Sequence, residues 1–425
     1  MGIDTHHLAT LLENAVRFAE GRKHQRLVLF ASPLAAAIGT REINNGLLAL
    51  WSAYRSEVFG EARLKALAEL KTIPADAMLP VWFSILEKTQ SPRMKREIIE
   101  HLSRLHDKRI IIPLAKELSN PHNDVRKSAA FSLKNNNDDR IYPYILSLAT
   151  SPNPVFRIYF IEAMNYLYDR RFYEMLINLL KDPNKSVRIY VLNCLRSNNL
   201  NESLPLIRNI ALYDSNDEVK INAIDAIGHF RDTNSQYVLL KTINENNRDV
   251  RLATARTLHK LSLANSAYPL SQRLSVETEE DIKDMILEAL IRVRNGGNIT
   301  GLSRILISDT SENLRIKAAF ALGVIRDQRA ISILLQGLDD SSYRVRAEAA
   351  NSLGLYKNPA VIAKLTDVVA KDHESYVRSA ALYSLKRINE RKSAVQLFDI
   401  YAKEQDPLFK ELLRGVIREF MSRYL

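Results

Sequence analysis

His373 and Glu374 stand side by side, an imidazole next to a carboxylate, the donor types that hold a transition metal. One such pair cannot complete a coordination sphere, and the chain has no second His-Glu step. The other histidines show no H-x-x-x-H or H-E-x-x-H spacing, so no metal site is expected. Cys194 is the single cysteine, which excludes an internal disulfide and leaves no thiol partner for zinc. A buried or half-buried structural thiol in a reducing compartment is the reading for it. There is no P-loop, no G-x-G-x-x-G and no G-x-S-x-G. The carboxylate pairs Glu97/Glu100 and Asp138/Asp139 fall at solvated or capping positions, where acid–base work is not expected. The expectation is a chain with no catalytic residue, no cofactor and no small-molecule substrate.

The elements that carry these residues are more informative. In Asp340–Gly354, Val345, Ala349, Ala350 and Leu353 share one face of a helix, and the two alanines let another helix come close. Asp340 and Ser341 precede the helix as caps, and Gly354 follows as a C-cap glycine would. Arg346 lies within the apolar face, so it must be paired. Asp340 is the expected acceptor, from its own repeat or from a neighbour. The basic position recurs as Arg63, Lys95, Arg126, Arg157, Arg188, Lys220, Arg251, Lys283, Arg315, Arg346, Arg378 and Lys410, always 31 or 32 residues apart. An upstream acid recurs as Asp182, Asp214, Asp309, Asp340 and Asp372, with Asn120 once in its place. Asp182 with Arg188, Asp309 with Arg315, Asp340 with Arg346, and Asp372 with Arg378 are therefore the expected structural lock. A second apolar helix lies between, often opened by Asp-x-Arg: Asp107/Arg109, Asp138/Arg140, Asp169/Arg171 and Asp327/Arg329. Two helices per unit, each unit unable to bury its second face alone, predict an all-α fold, an α-solenoid (a superhelix) of about twelve repeats.

At these residues the chain resembles the HEAT-repeat proteins, in particular the short HEAT-like repeats of the phycobilisome-lyase type. The shared pattern D-x-x-x-x-V-R-x-x-A-A-x-x-L-G is matched best at 309–323 and 340–354. The resemblance implies the solenoid, with the second helix of each repeat on the concave side. It spans chromophore lyases, an iron hydroxylase, DNA-repair glycosylases and adaptors without chemistry, so it does not choose a function. The hydroxylases need several facing His-Glu pairs, and this chain has one.

Residues 1–42 lack the pattern and are expected to cap the array or dock on a partner. Residues 43–425 carry the array, and the helix after Leu412 closes it. Gly296-Gly297 is the expected bend. Net charge is +11, but both signs are interspersed. A soluble cytoplasmic protein without a signal peptide or membrane span is expected. On the face of the second helices away from the Val/Ala/Leu stripe, Phe131, Tyr159, Tyr166 and Tyr190 are the expected anchors for a protein partner. The leading expectation is a non-catalytic scaffold or adaptor in a larger assembly, binding that partner along its concave surface. A nucleic-acid-binding protein using Arg256, Lys260, Arg292 and Lys317 is the second choice, and chromophore-lyase activity the third.

Overall fold

A computed structural model describes residues 79, 82–83, 86–87, 89–134, 138–167, 170–295 and 299–424. The segment 1–42, Arg63, Asp169 and Gly296-Gly297 lie outside the described residues. The chain forms two compact units, Met1–Cys194 and Leu195–Leu425. The described residues contain helices and turns, with no strand.

The first helices met are α1 (Pro92–Ser103), α2 (Ile111–Lys116), α3 (Asn123–Leu133), α4 (Tyr142–Ala149), α5 (Pro154–Leu167), α6 (Tyr173–Asn178) and α7 (Lys185–Ser197). They continue as α8 (Leu204–Tyr213), α9 (Asp217–His229), α10 (Gln236–Thr242), α11 (Arg248–Leu261), α12 (Ala267–Leu274), α13 (Glu280–Val293) and α14 (Thr300–Ser308). The rest are α15 (Glu312–Ile325), α16 (Ala330–Gly337), α17 (Tyr343–Leu353), α18 (Pro359–Lys371), α19 (Ser375–Ile388), α20 (Arg391–Lys403) and α21 (Pro407–Tyr424). Odd-numbered helices carry the basic position and even-numbered ones lie between them. In the first unit α3 packs against α1 and α5; in the second, each odd helix from α9 onward packs against the next. This is an all-α solenoid, and the repeat is its unit of folding.

Spacing explains the core. Val345, Ala349, Ala350 and Leu353 are wholly buried, as are Val219, Ala223, Ile224 and Ile227 one side of α9. Helix starts are set by short polar side chains. Asn216, Asn247 and Ser342 accept from the N–H two residues on, and Asp340 turns the loop before α17 by accepting from the Ser342 N–H at 2.8 Å. In the Asp-x-Arg steps the aspartate caps the next turn and also holds the arginine: Asp107 accepts from the Arg109 N–H at 2.8 Å and from its guanidinium at 2.6 Å.

Gly354 corrects one expectation. It stands at the helix end with φ −60°, a right-handed conformation that any residue adopts. Its reason is proximity: a Cβ there would meet Ser384 Oγ at 2.6 Å and Arg387 Nη2 at 2.5 Å, both on α19. Left-handed residues do end the second helices, but they are not glycines. His106, Asn199, Arg231, Ser262, Arg294, Arg326 and Asn389 take φ between 51° and 59°.

Candidate functional site

The buried arginines organise the molecule. Arg346 is buried on α17. Its Nη1 donates to the main-chain carbonyl of Asp340 at 3.0 Å, in its own loop. Its Nε and Nη2 donate to the Asp372 carboxylate at 2.9 and 3.1 Å, in the loop one repeat along. Asp340 in turn takes Arg315 at 2.9 Å, from the repeat before. The expected residues thus meet with an offset. Asp340 joins its own helix through its main-chain oxygen and the preceding helix through its carboxylate.

The same staircase recurs. Asp182 binds Arg157 at 2.6 Å by its carboxylate, and its carbonyl takes Arg188 at 2.8 Å. Asp309 binds Lys283 at 2.7 Å by its carboxylate, and its carbonyl takes Arg315 at 3.0 Å. Arg378 pairs with Glu404 and donates from Nε to the Val369 carbonyl at 2.9 Å, so Asp372 supplies neither of those bonds. Lys220 finds Glu245 at 3.0 Å and Arg251 finds Glu277 at 2.9 Å. Glu245, Glu277 and Glu404 take the aspartate's place in these repeats, and a pattern written on aspartate alone passes over them. They sit six residues before the next basic position, and this spacing finds them.

At position 151 the register offers serine, and the structure answers elsewhere. Arg126 binds Glu162 on α5 at 2.6 Å, and its guanidinium lies 3.7 Å from the centroid of the Tyr159 ring. Tyr159 is also edge-on to Phe156 at 5.6 Å. A cation on a ring and a charged pair replace the absent acid, so half-buried Tyr159 holds two repeats together. Tyr166 is half-buried as well. Phe131 and Tyr190 are 67% and 41% exposed, on α3 and α7 of the first unit. The four aromatic positions therefore separate into one engaged ring, one half-covered ring and two rings facing water.

The Glu277 side chain has no exposure, and both Arg251 and Arg273 donate to it. Burial alone pushes its carboxyl up, but Arg251, the Glu279 N–H and Arg273 outweigh this and hold it at about 2, against 4.5 in the open chain. A lowered folded value adds stability above the open-chain value, and that stability drains away as pH falls through the folded one. Urea unfolding should therefore weaken between about pH 4.5 and 2 by less in Glu277→Gln than in the native chain. Equal pH slopes would remove Glu277 from the acid response.

The basic stripe is largely compensated. Lys317 is held by Asp284 at 2.6 Å and Glu288 at 2.8 Å. Asp225, whose carboxyl burial pushes up, feels Arg196, Arg256 and Lys260 together. Arg292 Nε donates to Ser262 Oγ at 2.5 Å. His373 is exposed at the edge of the Arg346–Asp372 pair, and Cys194 is buried. Among the described residues no group of three or more His, Cys, Asp or Glu could hold a metal ion.

Residues 142–220, 204–291 and 299–411 match a family model described as HEAT repeats. The bilin biosynthesis protein PecE of Nostoc sp. (strain PCC 7120 / SAG 25.82 / UTEX 2576) is 26% identical over 117 residues, which cover 26% of this chain and 46% of PecE. PecE of Mastigocladus laminosus is 25% identical over 117 residues, covering 26% of this chain and 44% of that protein. The chain spans less than half the length of these curated relatives. Kap121p bound to Nup53p matches 98% of this chain and 49% of its own, at TM-score 0.51 and 13% identity. Kap121p bound to the extreme C-terminus of the protein phosphatase Cdc14p matches the same shares, 98% and 49%, at TM-score 0.50 and 13% identity. At such identity the likeness is one of fold.

Proposed function

The chain belongs to the HEAT-repeat family, with repeats of the phycobilisome-lyase type, and from that premise we propose that it is a non-catalytic scaffold binding a protein partner along the exposed face of its second helices. The observation that carries the reading is the exposure of Phe131 and Tyr190 on odd helices of one unit. Large rings kept in water on a soluble surface mark interaction sites, and tyrosine is a preferred anchor. The two Kap121p complexes with protein segments support such a use of a similar fold. A cytoplasmic location is part of this proposal, and the single, buried cysteine fits a reducing compartment. Among the described residues no helix is long and apolar enough to cross a membrane.

Phe131→Ala with Tyr190→Ala should weaken partner capture by about 2 kcal/mol or more while the melting temperature barely moves. Quantitative pull-down from the producing cells, beside a thermal melt, checks it. Undiminished capture places the surface elsewhere. Tyr159 is left out of the pair because its loss would unseat Arg126.

Nucleic-acid binding is the weaker reading, because the acids around Lys317 and Arg256 cancel the positive stripe. Affinity for a random duplex falling steeply with salt would reverse that order. The relation to PecE favours a second reading, a role in bilin attachment. A shifted visible absorbance on adding an open-chain bilin would support it.

A further inference from the structure

In the second unit, α15, α17 and α19 line a groove of about 680 Å³. Tyr343 and Tyr376 stand at its mouth, ring centroids 6.1 Å apart and edge to face, 40% and 60% exposed. Ala347 and Asn351 leave room below them, and Glu348 and Glu374 also line the space. Glu348 is half-buried. Burial pushes its carboxyl up against the opposing pull of Asn351, Ser352 and the Arg387 charge. Yet among the described residues no cation comes within ion-pair distance of it: Arg387 is engaged with the carbonyls of Asn351 and Gly354. The contrast with the preceding repeat is direct, since Lys317 at the same register is closed off by Asp284 and Glu288. Arg344 is the one basic group of the lining, and it leans on Tyr343, with Nε 3.4 Å from the hydroxyl.

We infer that this groove takes an arginine or lysine side chain of an extended, basic segment of a protein partner. The lining offers two carboxylates, Glu348 and Glu374, to one guanidinium, so the complement of this groove is positive. Aromatic faces at the mouth receive the cation and its methylene stem, and the Glu348 carboxylate below receives its N–H donors. The partner then relieves a carboxylate that folding leaves partly desolvated and without an ion-pair partner. The inference rests on the protein-binding reading but concerns a different unit and different residues.

The test uses the full chain and a fluorescein-labelled Gly-Ser peptide carrying two arginines, followed by anisotropy. The same peptide with citrulline, which keeps the shape and loses the charge, should bind at least tenfold more weakly. Glu348→Gln and, separately, Tyr376→Ala should each lower affinity for the arginine peptide about tenfold. Glu348→Gln should melt no lower than the native chain, because it removes an unpaired charge. Phe131→Ala with Tyr190→Ala should leave peptide binding unchanged, which separates failure here from failure of the scaffold reading. Equal affinity for the citrulline peptide, indifference to Glu348→Gln, or no binding at millimolar peptide would overturn the proposal. So would direct binding of spermidine, lost in Glu348→Gln, with the peptide itself unbound, which would make the groove a small-amine site.

Discussion

Arg346→Ala should destabilise the second unit by about 3–5 kcal/mol, the range for removing one partner of a buried ion pair. The substitution leaves the Asp372 carboxylate, 9% exposed, without its guanidinium, and frees the carbonyl of Asp340. Burial pushes the Asp372 carboxyl up while Arg346, the Glu374 N–H and His373 hold it below its usual range, so the pair matters most near neutral pH. The net worth of the pair is a separate quantity: exchanging both partners for apolar residues of similar volume can be neutral. Arg346→Met with Asp372→Leu should accordingly recover much of the loss. Urea unfolding of the single and double variants checks both. A single variant as stable as the native chain that fails to bind its partner would make Arg346 a contact residue instead.

Gly301→Ala should cost about 3 kcal/mol, at the upper end for overpacking. Alanine normally stabilises a helix over glycine by up to about 1 kcal/mol, so the sign is reversed. Gly301 is the second residue of α14, and a Cβ there would lie 2.2 Å from the Ser271 carbonyl oxygen and 3.1 Å from Leu274 Cβ on α12. The obstacle is main chain, which cannot swing aside as a long side chain does. The Gly301 N–H also donates to Ser271 Oγ at 3.1 Å, and a displaced helix would lose that bond. Thermal melting of the variant is the check, and an unchanged or higher midpoint would show that α12 and α14 part freely.

Much of this was legible because the repeat writes the same physics many times. Val345, Ala349, Ala350 and Leu353 are buried where a 3.6-residue period puts them, and the basic position within that stripe had to be paired. The offset of the pairing was not legible. Asp340 lies six residues before Arg346 and twenty-five after Arg315, and only the stacking of loops decides which guanidinium its carboxylate meets. The replacement of an acid at 151 by Glu162 and Tyr159 was likewise hidden, since it draws on a helix face that looked like binding surface. The left-handed helix ends carry histidine, arginine, serine or asparagine, so they lack the glycine by which such ends are usually found. Gly354 had the right residue type and a different reason, close approach to α19. For the aromatic positions, spacing gave the face but not which rings a neighbouring repeat absorbs.

The scaffold reading turns on which face meets a partner, and site-specific photo-crosslinking measures that directly. A benzophenone side chain placed at Phe131 or Tyr190, compared with one at Tyr213 or Tyr237 on even-numbered helices, would be activated in the producing cells. All four residues are exposed, between 41% and 70%, so accessibility alone does not bias the comparison. Discrete protein adducts from positions 131 and 190, lost on competition with unlabelled chain, are the predicted result. Adducts confined to positions 213 and 237, or adducts to nucleic acid, would contradict it.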